Sequence, residues 1–261
     1  MAAHWGYTGE YGPNRWHLLY PAGKGRRQSP IDIDTSNMDK KVNYNLVAKY
    51  NPKEITSLNN NGHSVTFVAE GASSVISGDP LKNEHKLVQF HFHWGSEDNR
   101  GSEHTLNGKH YSAEVHLVHQ NTKYPTFEKA LDHGDGLCVV GAFLEVSDGI
   151  ENPAYDKLTE LLKTVQFKGE KHNFDGGFDA WSLLPESKTF VSCYDGSLTT
   201  PPLSECVQWV NLLEPVKISK KHIAAFRSLR MNAKGEKDLH LADNYRPVQE
   251  LHGRCVCFHK H

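Results

Sequence analysis

The sequence has 261 residues, with 29 Lys and Arg against 31 Asp and Glu and a formal net charge of −2. This balance provides no general electrostatic attraction to nucleic acid or to an anionic membrane, so neither is expected as a partner. All-β architectures reach this length as one unit, and we expect a single domain over residues 1–261.

Neither a secretory signal nor a membrane span is indicated. Residues 1–16 lack a basic segment followed by an apolar one, and the longest apolar run, at 137–144, is far too short to cross a bilayer. The five cysteines are odd in number and lack framework spacing, so reduced thiols and a cytoplasmic location are expected. Cys255 and Cys257 are interpreted as small alternating residues of a C-terminal strand, with a metal-binding pair as the alternative.

The pattern along the chain predicts a mainly β (α+β) fold, with a large, mostly antiparallel sheet and peripheral helices. Gly and Pro are spread throughout, as is typical of a fold with many turns. Apolar stripes predict helices over 152–165 and 219–229, the second beginning after Ser219 as N-cap. Strands are predicted over residues 64–70, 86–94, 112–119, 136–146, 189–194 and 205–213.

The run "LVQFHFHWG" at 87–95 places two histidines two residues apart. Alternate residues of a strand project from the same face, so His91 and His93 share a face with Gln89, opposite the aromatic residues between them. Two such imidazoles can converge on one metal ion. The strand at 112–119 offers His116 and His119 on opposite faces, and either would complete a site of three histidines.

Three histidines without a fourth protein ligand leave one coordination position open, which is the pattern of a catalytic zinc site. The affinity order alone also permits copper or cobalt. His91, His93 and Glu97 also read as HxHxxxE, a pattern similar to the first metal motif of cupin barrels, which would imply iron or manganese. The loop-like sequence after Trp94 argues against that alternative.

Seven longer motifs resemble the α-class carbonic anhydrases, in that family's order and spacing and across nearly the whole chain. The resemblance implies a single domain around a ten-stranded twisted sheet. The motifs are "QSPIDI" (28–33), "LNNNGHSV" (58–65), "QFHFHWG" (89–95), "GSEHT" (101–105), "AEVHLVHQNTKY" (113–124), "YDGSLTTPPLSECVQW" (194–209) and "NYRPVQ" (244–249).

The resemblance resolves the choice of ligand by implying Zn²⁺ on His91, His93 and His116, with His119 structural. It also implies three groups that orient these rings, since the partner of each ring nitrogen fixes its tautomer. They are the side chains of Gln89 for His91 and Glu114 for His116, and the backbone carbonyl of Asn244 for His93.

The implied activity is that of a zinc lyase, carbonate dehydratase, in which zinc hydroxide attacks CO₂ to give bicarbonate and a proton. Glu103 would accept the hydroxyl proton of Thr199, so that the Thr199 oxygen can only accept a hydrogen bond and thereby orients the nucleophile. His63 would carry the proton to solvent, because an unperturbed imidazole pKa of about 6.5 suits transfer in both directions.

The remaining implied residues form an apolar wall for the substrate and a path for the proton. Thr66 stands where Asn is common in fast members of the family, a change that bears on proton transfer. The substrate-binding residues are Val118, Val139, Leu198, Thr200, Val207 and Trp209, and the residues ordering the water chain are Tyr7, Asn61 and Thr66.

The implied partners are CO₂ and bicarbonate as substrates, with anions and sulfonamides as inhibitors, on a monomeric chain. The alternative function is a catalytically silent binding module, since the family includes members that lost zinc ligands. Here all three ligands are present together with Thr199, Glu103 and His63, which favours the enzyme.

Overall fold

The computed structural model describes residues 4–36, 40–41, 44–187 and 190–260 of the chain. Within them the secondary structure is mostly strand. The strands are β1 (Asp32–Ile33), β2 (Lys40–Lys41), β3 (Val47–Lys49), β4 (Ile55–Asn60), β5 (Val65–Ala69), β6 (Val75–Ser77), β7 (His85–Trp94), β8 (Thr105–Leu106), β9 (Ala113–Asn121), β10 (Leu137–Val146), β11 (Lys171–Asn173), β12 (Phe190–Gly196), β13 (Val207–Ile218) and β14 (Cys257–Lys260).

Within the described ranges, four α-helices and several short 3₁₀ helices lie around the strands. The α-helices are α1 (Trp16–Leu19), α2 (Phe127–Ala130), α3 (Pro153–Leu162) and α4 (Lys220–Arg227), and the 3₁₀ helices are Gly9–Tyr11, Pro13–Arg15, Pro21–Lys24, Pro52–Glu54, Lys163–Val165 and Ala180–Leu183.

Twelve of the described strands form one mixed sheet, and a path of ten of them runs in the order β11-β4-β5-β7-β9-β10-β13-β12-β14-β2. The other two are β3 and β6, of which β6 pairs with both β3 and β7. Most pairs are antiparallel, as predicted, but β10 and β13 run parallel, and so do β14 and β2. The separate pair of β1 and β8 is also parallel.

The predicted strands are confirmed, with β7, β9 and β10 at the centre of the sheet. The predicted strand at 189–194 corresponds to β12, and its residue 189 lies outside the described residues. Every residue of β9 is buried, because both faces of the central sheet are covered. The short strands β3, β6 and β11 were not predicted, since three residues are too few for a visible alternation.

Both predicted helices are confirmed, and their ends have local causes. In α3, Pro153 occupies the first turn and the Asn152 side chain accepts the Tyr155 N–H. In α4, Ser219 and His222 form a reciprocal capping box. The apolar stripes of both helices pack on one face of the sheet as part of the larger apolar cluster.

The two faces of the sheet carry different clusters. The larger includes Phe90, Phe92 and Leu117 from the central strands, and the smaller includes Val118 and Trp209. Because side chains alternate along each strand, a residue's position decides which cluster it joins. No helix in the described ranges has the length and apolar character needed to cross a membrane.

Candidate metal centre

The predicted histidines converge because β7 and β9 are antiparallel neighbours in a register that sets His91 opposite His116. The ring centroids lie 5.1 Å apart for His91 and His93, 5.3 Å for His91 and His116, and 4.7 Å for His93 and His116. One ring nitrogen from each lies within 4.8 Å of the other two, so the group could hold a metal ion.

The second nitrogen of each ring has a hydrogen-bond partner, and the partners are those implied by the resemblance. Nδ1 of His91 lies 2.9 Å from Gln89 Oε1, and Nδ1 of His93 lies 2.8 Å from the Asn244 carbonyl. Nε2 of His116 lies 2.7 Å from Glu114 Oε1. Since each partner oxygen accepts a hydrogen bond from a ring N–H, Nε2 of His91 and His93 and Nδ1 of His116 are left as lone-pair donors.

All three imidazoles are held in the neutral form that metal binding requires. Burial lowers the pKa of His93 to about 3, with a further lowering by the neighbouring His116. Burial also lowers the pKa of His91 well below its usual value and lowers that of His116, although the Glu114 carboxylate opposes the shift of His116. Nε2 of His93 is buried and has no hydrogen-bond partner among the described residues, which suits a ligand atom.

Glu114 holds this region together through both of its carboxylate oxygens. Oε2 accepts the backbone N–H groups of Glu103 and His104, each at 2.9 Å. Oε1 lies 2.7 Å from a ring nitrogen of His104 and 2.7 Å from one of His116. Burial alone would raise the pKa of Glu114, but these two histidines outweigh it and lower that pKa, so the group is ionised.

The residues His104, Glu114 and His116 also come close enough to form a second possible metal group. Their 2.7 Å contacts are hydrogen-bond distances, and the other ring nitrogen of His104 lies 2.7 Å from the Tyr194 hydroxyl. These hydrogen bonds account for the cluster, so it positions His116 and is not a second site.

Glu103 lies on the inner side of the three rings, completely buried. Its Oε1 accepts the Arg246 backbone N–H at 2.7 Å, and its Oε2 lies 3.3 Å from Nε2 of His93 without forming a hydrogen bond. Burial raises the pKa of Glu103 well above its usual value, while the Arg246 backbone and the Thr199 side chain lower it. The Thr199 side chain is therefore close enough to lower the Glu103 pKa. Glu103 Oε2 nevertheless has no hydrogen-bond partner of normal geometry among the described residues.

A cavity of about 230 Å³ opens beside His91 and His116. Five of the six predicted substrate-binding residues line it, and Val207 does not: it is fully buried in the smaller apolar cluster. The lining residues from that prediction are Val118, Val139, Leu198, Thr200 and Trp209.

Sequence reasoning missed four residues that line the same cavity. Phe127 and Leu131 come from the region of α2, and Pro201 and Pro202 from the loop after β12. The two prolines lie in a motif already quoted and could have been found there. The four-residue helix α2 gave no periodicity, so tertiary packing alone places Phe127 and Leu131 at the cavity.

His63 lies outside the cluster, with its ring stacked on Trp5 at a centroid distance of 3.8 Å and an interplanar angle of 9°. In this position burial lowers the His63 pKa to about 4, and the charges of Lys168 and His4 add to the shift. The expectation of an unperturbed pKa therefore does not hold for this conformation. Trp5 was missed by sequence reasoning, because nothing local marks its contact with residue 63.

The three residues predicted to order the water chain lie in different settings. Asn61 Oδ1 accepts the backbone N–H groups of His63 and Ser64, so its carbonyl oxygen shapes the turn that carries His63. Thr66 is half-buried and pairs with His91 across β5 and β7. Tyr7 is partly exposed as a residue, yet burial of its phenol raises its pKa well above the usual value.

Glu97 does not approach the histidines. It lies in the loop after β7, with an exposed side chain whose carboxylate is 3.2 Å from Arg100. The HxHxxxE alternative, which needs Glu97 as a ligand, is therefore wrong for this fold.

The fold and the donor set define a protein of the three-histidine metal-binding class, built on a large mixed sheet. A family model described as eukaryotic-type carbonic anhydrase matches residues 11–260. The chain is 45% identical to carbonic anhydrase 7 of Homo sapiens over 262 residues, covering 98% of each protein, and the same values hold for carbonic anhydrase 7 of Mus musculus. The chain therefore belongs to the eukaryotic-type carbonic anhydrase family and is an enzyme with carbonic anhydrase activity.

Proposed function

We propose that this chain carries out the reversible hydration of carbon dioxide at the metal centre, with Zn²⁺ as the metal held by His91, His93 and His116. The observation that carries the proposal is the convergence of three neutral ring nitrogens at a largely apolar cavity. A set of three nitrogen donors with no carboxylate suits zinc and leaves a coordination position open. Bound zinc would supply a Lewis acid that brings the pKa of water into the neutral range, as is established for carbonic anhydrases.

Glu103 and Thr199 orient the reacting oxygen in this proposal. An ionised Glu103 accepts the Thr199 hydroxyl proton, so the Thr199 oxygen can only accept a hydrogen bond from the attacking oxygen. This fixes the direction of the attacking lone pair, which is a positioning effect. The backbone N–H of Thr199 suits a developing negative charge on a substrate oxygen. A dication beside Glu103 would also oppose the effect of burial and favour its ionised form.

The apolar wall of the cavity receives CO₂, which has no charge and no hydrogen-bond donor. Val118 and Val139 lie directly opposite one another on β9 and β10, and Trp209 lies opposite Val139 on β13. All three side chains are at most 3% exposed, so ordered water competes poorly for the space beside them. Val207 belongs to the same apolar cluster as these three residues but does not line the cavity.

His63 is proposed as the proton carrier between the site and solvent. A ring with a pKa of about 4 binds protons weakly at neutral pH, so we expect transfer to require His63 to leave its stacked position on Trp5. His63→Ala should lower kcat by up to about 100-fold, leave kcat/KM unchanged and be rescued by imidazole buffer. An unchanged kcat at low buffer concentration would remove His63 from this role.

The decisive experiment is stopped-flow CO₂ hydration on the protein as purified, after chelator treatment and after zinc readdition. We expect activity to disappear with the metal and return with zinc. A folded, zinc-loaded protein that fails to hydrate CO₂ would instead support the silent binding module.

We also propose that anions and sulfonamides inhibit the enzyme, and that the chain is a cytoplasmic monomer without membrane or nucleic-acid partners. None of the five cysteines forms a disulfide, and the disulfide usual in secreted relatives would join the region near Gly23 to the position of Leu203, neither of which supplies a Cys here. Light scattering and fractionation of expressing cells would test these points. A single domain over residues 1–261 likewise stays a proposal.

A further inference from the structure

A pair of thiols lies near the C-terminal end of the described chain, outside the metal centre. Cys255 is exposed just before β14, and Cys257 is half-buried as the first residue of that strand. Val256 between them points into the smaller apolar cluster. Alternate residues of an extended chain project to the same side, and the two Sγ atoms lie 3.7 Å apart.

The other three thiols are less accessible, although Cys193 lines the same surface cleft as Cys255 and Cys257. Cys138, Cys193 and Cys206 are buried. Burial raises the pKa of Cys193 and Cys206 to about 12 and that of Cys138 well above its usual value. Cys193 lies opposite Cys257 in the pairing of β12 with β14, so it is the buried thiol best placed to compete for Cys257.

The paired thiols line a surface cleft of about 290 Å³ together with Arg27 and Arg254. The Arg254 guanidinium donates to main-chain carbonyls, among them those of Gln28 and Asp195, and makes no hydrogen bond to a side-chain carboxylate of the described residues. Arg27 is paired with Glu205 at 3.7 Å, and Asp195 also lines the cleft. Arg254 therefore contributes a positive charge that is not hydrogen-bonded to any carboxylate of the described residues, although the charges of Glu205 and Asp195 act on it.

We propose that Cys255 and Cys257 form a reversible dithiol–disulfide site that exchanges with low-molecular-weight organic disulfides carrying a carboxylate. The Cys255 thiolate attacks the small disulfide, forming a mixed disulfide and releasing one small thiolate. The Cys257 thiolate then attacks Cys255 Sγ, forming the bond between the two cysteines and releasing the second small thiolate. Two electrons pass to the reagent, and the two thiol protons pass to water or to the released thiolates.

The geometry supports the intramolecular step. A disulfide needs its sulfurs about 2.05 Å apart, so the 3.7 Å separation must close by side-chain rotation and a small backbone adjustment. Cys255 lies outside the regular strand, where its backbone can adjust without breaking a ladder hydrogen bond. An accessible thiol beside a resolving thiol is the arrangement typical of reversible thiol oxidation.

The test uses the reduced, zinc-loaded protein and 3,3′-dithiodipropionate, followed by whole-protein mass spectrometry and peptide mapping. We expect a product lighter by two hydrogen atoms, with the new bond between Cys255 and Cys257. Cys257→Ser should accumulate the mixed disulfide at Cys255, and Cys255→Ser should not react. A mixed disulfide that persists in the unaltered protein, or an unchanged reaction of Cys255→Ser, would overturn the proposal.

Two controls separate the alternatives. Cys193→Ser should still form the same disulfide, whereas loss of the product would show that Cys193 is the true partner of Cys257. The cationic disulfide cystamine should react about threefold more slowly than the anionic reagent at low salt, the size of one exposed ion pair. Equal or faster reaction with cystamine would overturn the carboxylate preference.

Metal analysis tests whether the two adjacent thiols bind a metal ion instead. We expect the same zinc content in the reduced protein and in Cys255→Ser, because the histidine site is intact in both. A second zinc per chain that is lost in Cys255→Ser would replace the redox site by a thiolate metal site.

Discussion

His116 and His119 lie three residues apart on β9, fully buried, on opposite faces of the same sheet. Burial lowers the pKa of both, and both rings are neutral. Nδ1 of His119 donates to the Cys138 carbonyl at 3.2 Å, and its Nε2 pairs with the Tyr50 hydroxyl. Within the described part of the chain, His116 makes a hydrogen bond only through Nε2, and its Nδ1 faces the other two histidines.

The comparison shows that burial and neutrality do not by themselves make a histidine a metal ligand. The decisive difference is the second ring nitrogen, which the protein satisfies internally in His119 and leaves as a donor in His116. The two faces of the sheet on which these histidines lie also differ in their interactions. Phe90, Phe92 and Leu117 stabilise one face by apolar packing, whereas the other face carries the hydrogen-bonded network of the three histidines beside the smaller apolar cluster.

The largest expected effect comes from replacing His116, with a replacement of His119 as the comparison. His116→Ala should lower zinc affinity by more than about 100-fold, because losing a ligand costs more than losing a group that only orients one. CO₂ hydration should fall to the level of the chelator-treated protein. His119→Gln should keep its zinc, because the amide can replace both of the hydrogen bonds of that ring. Zinc content and stopped-flow hydration measure both variants, and zinc loss in His119→Gln would contradict the comparison.

A substitution on the apolar face should lower the stability of the protein and leave its activity unchanged. Leu117→Ala removes a fully buried side chain between the two histidines and should lower the free energy of unfolding by about 2–5 kcal/mol. Zinc content and hydration rate per folded molecule should stay unchanged. Urea unfolding and activity below the transition measure the two quantities. The matched variant on the other face, Val118→Ala, should change kcat/KM because Val118 lines the cavity.

Glu114 connects the polar network to His116, and Glu114→Gln tests that connection. The amide removes the charge that holds the His116 N–H, so zinc affinity should fall by about 10- to 100-fold. Competition with a chromophoric chelator measures the affinity. Glu97→Gln serves as the control, since that exposed carboxylate contacts Arg100 away from the site and should leave the affinity unchanged.

At neutral pH, the smallest effect is the pH dependence that His119 contributes to stability. Its folded pKa of about 3 lies below the usual value of 6.5, chiefly through burial, so the unfolded chain binds its proton first. Its stabilisation is present above pH 6.5 and is lost as pH falls towards 3, at up to about 1.4 kcal/mol per pH unit. The difference in unfolding free energy between the unaltered protein and His119→Gln should therefore shrink towards acid pH. A constant difference in urea unfolding across that window would contradict this assignment.

Much of the centre could be predicted, but by two different routes. Strand alternation alone grouped Gln89, His91 and His93 and separated them from Phe90 and Phe92, since a period of two needs no knowledge of neighbouring strands. The choice between His116 and His119 came only from the resemblance to a known family. The register of β9 against β7 and the packing around Tyr50 decide it physically.

The remaining features were decided by tertiary structure, because they join segments far apart in the chain. The Asn244 carbonyl reaches His93 across 151 residues, and Arg246 reaches Glu103 across 143. Packing that no local pattern encodes places Phe127 at the cavity and Trp5 against His63. It also keeps Val207 out of the cavity lining. The sequence by itself determined which side chains share a face, through backbone geometry, whereas long-range register and packing decided which of them meet.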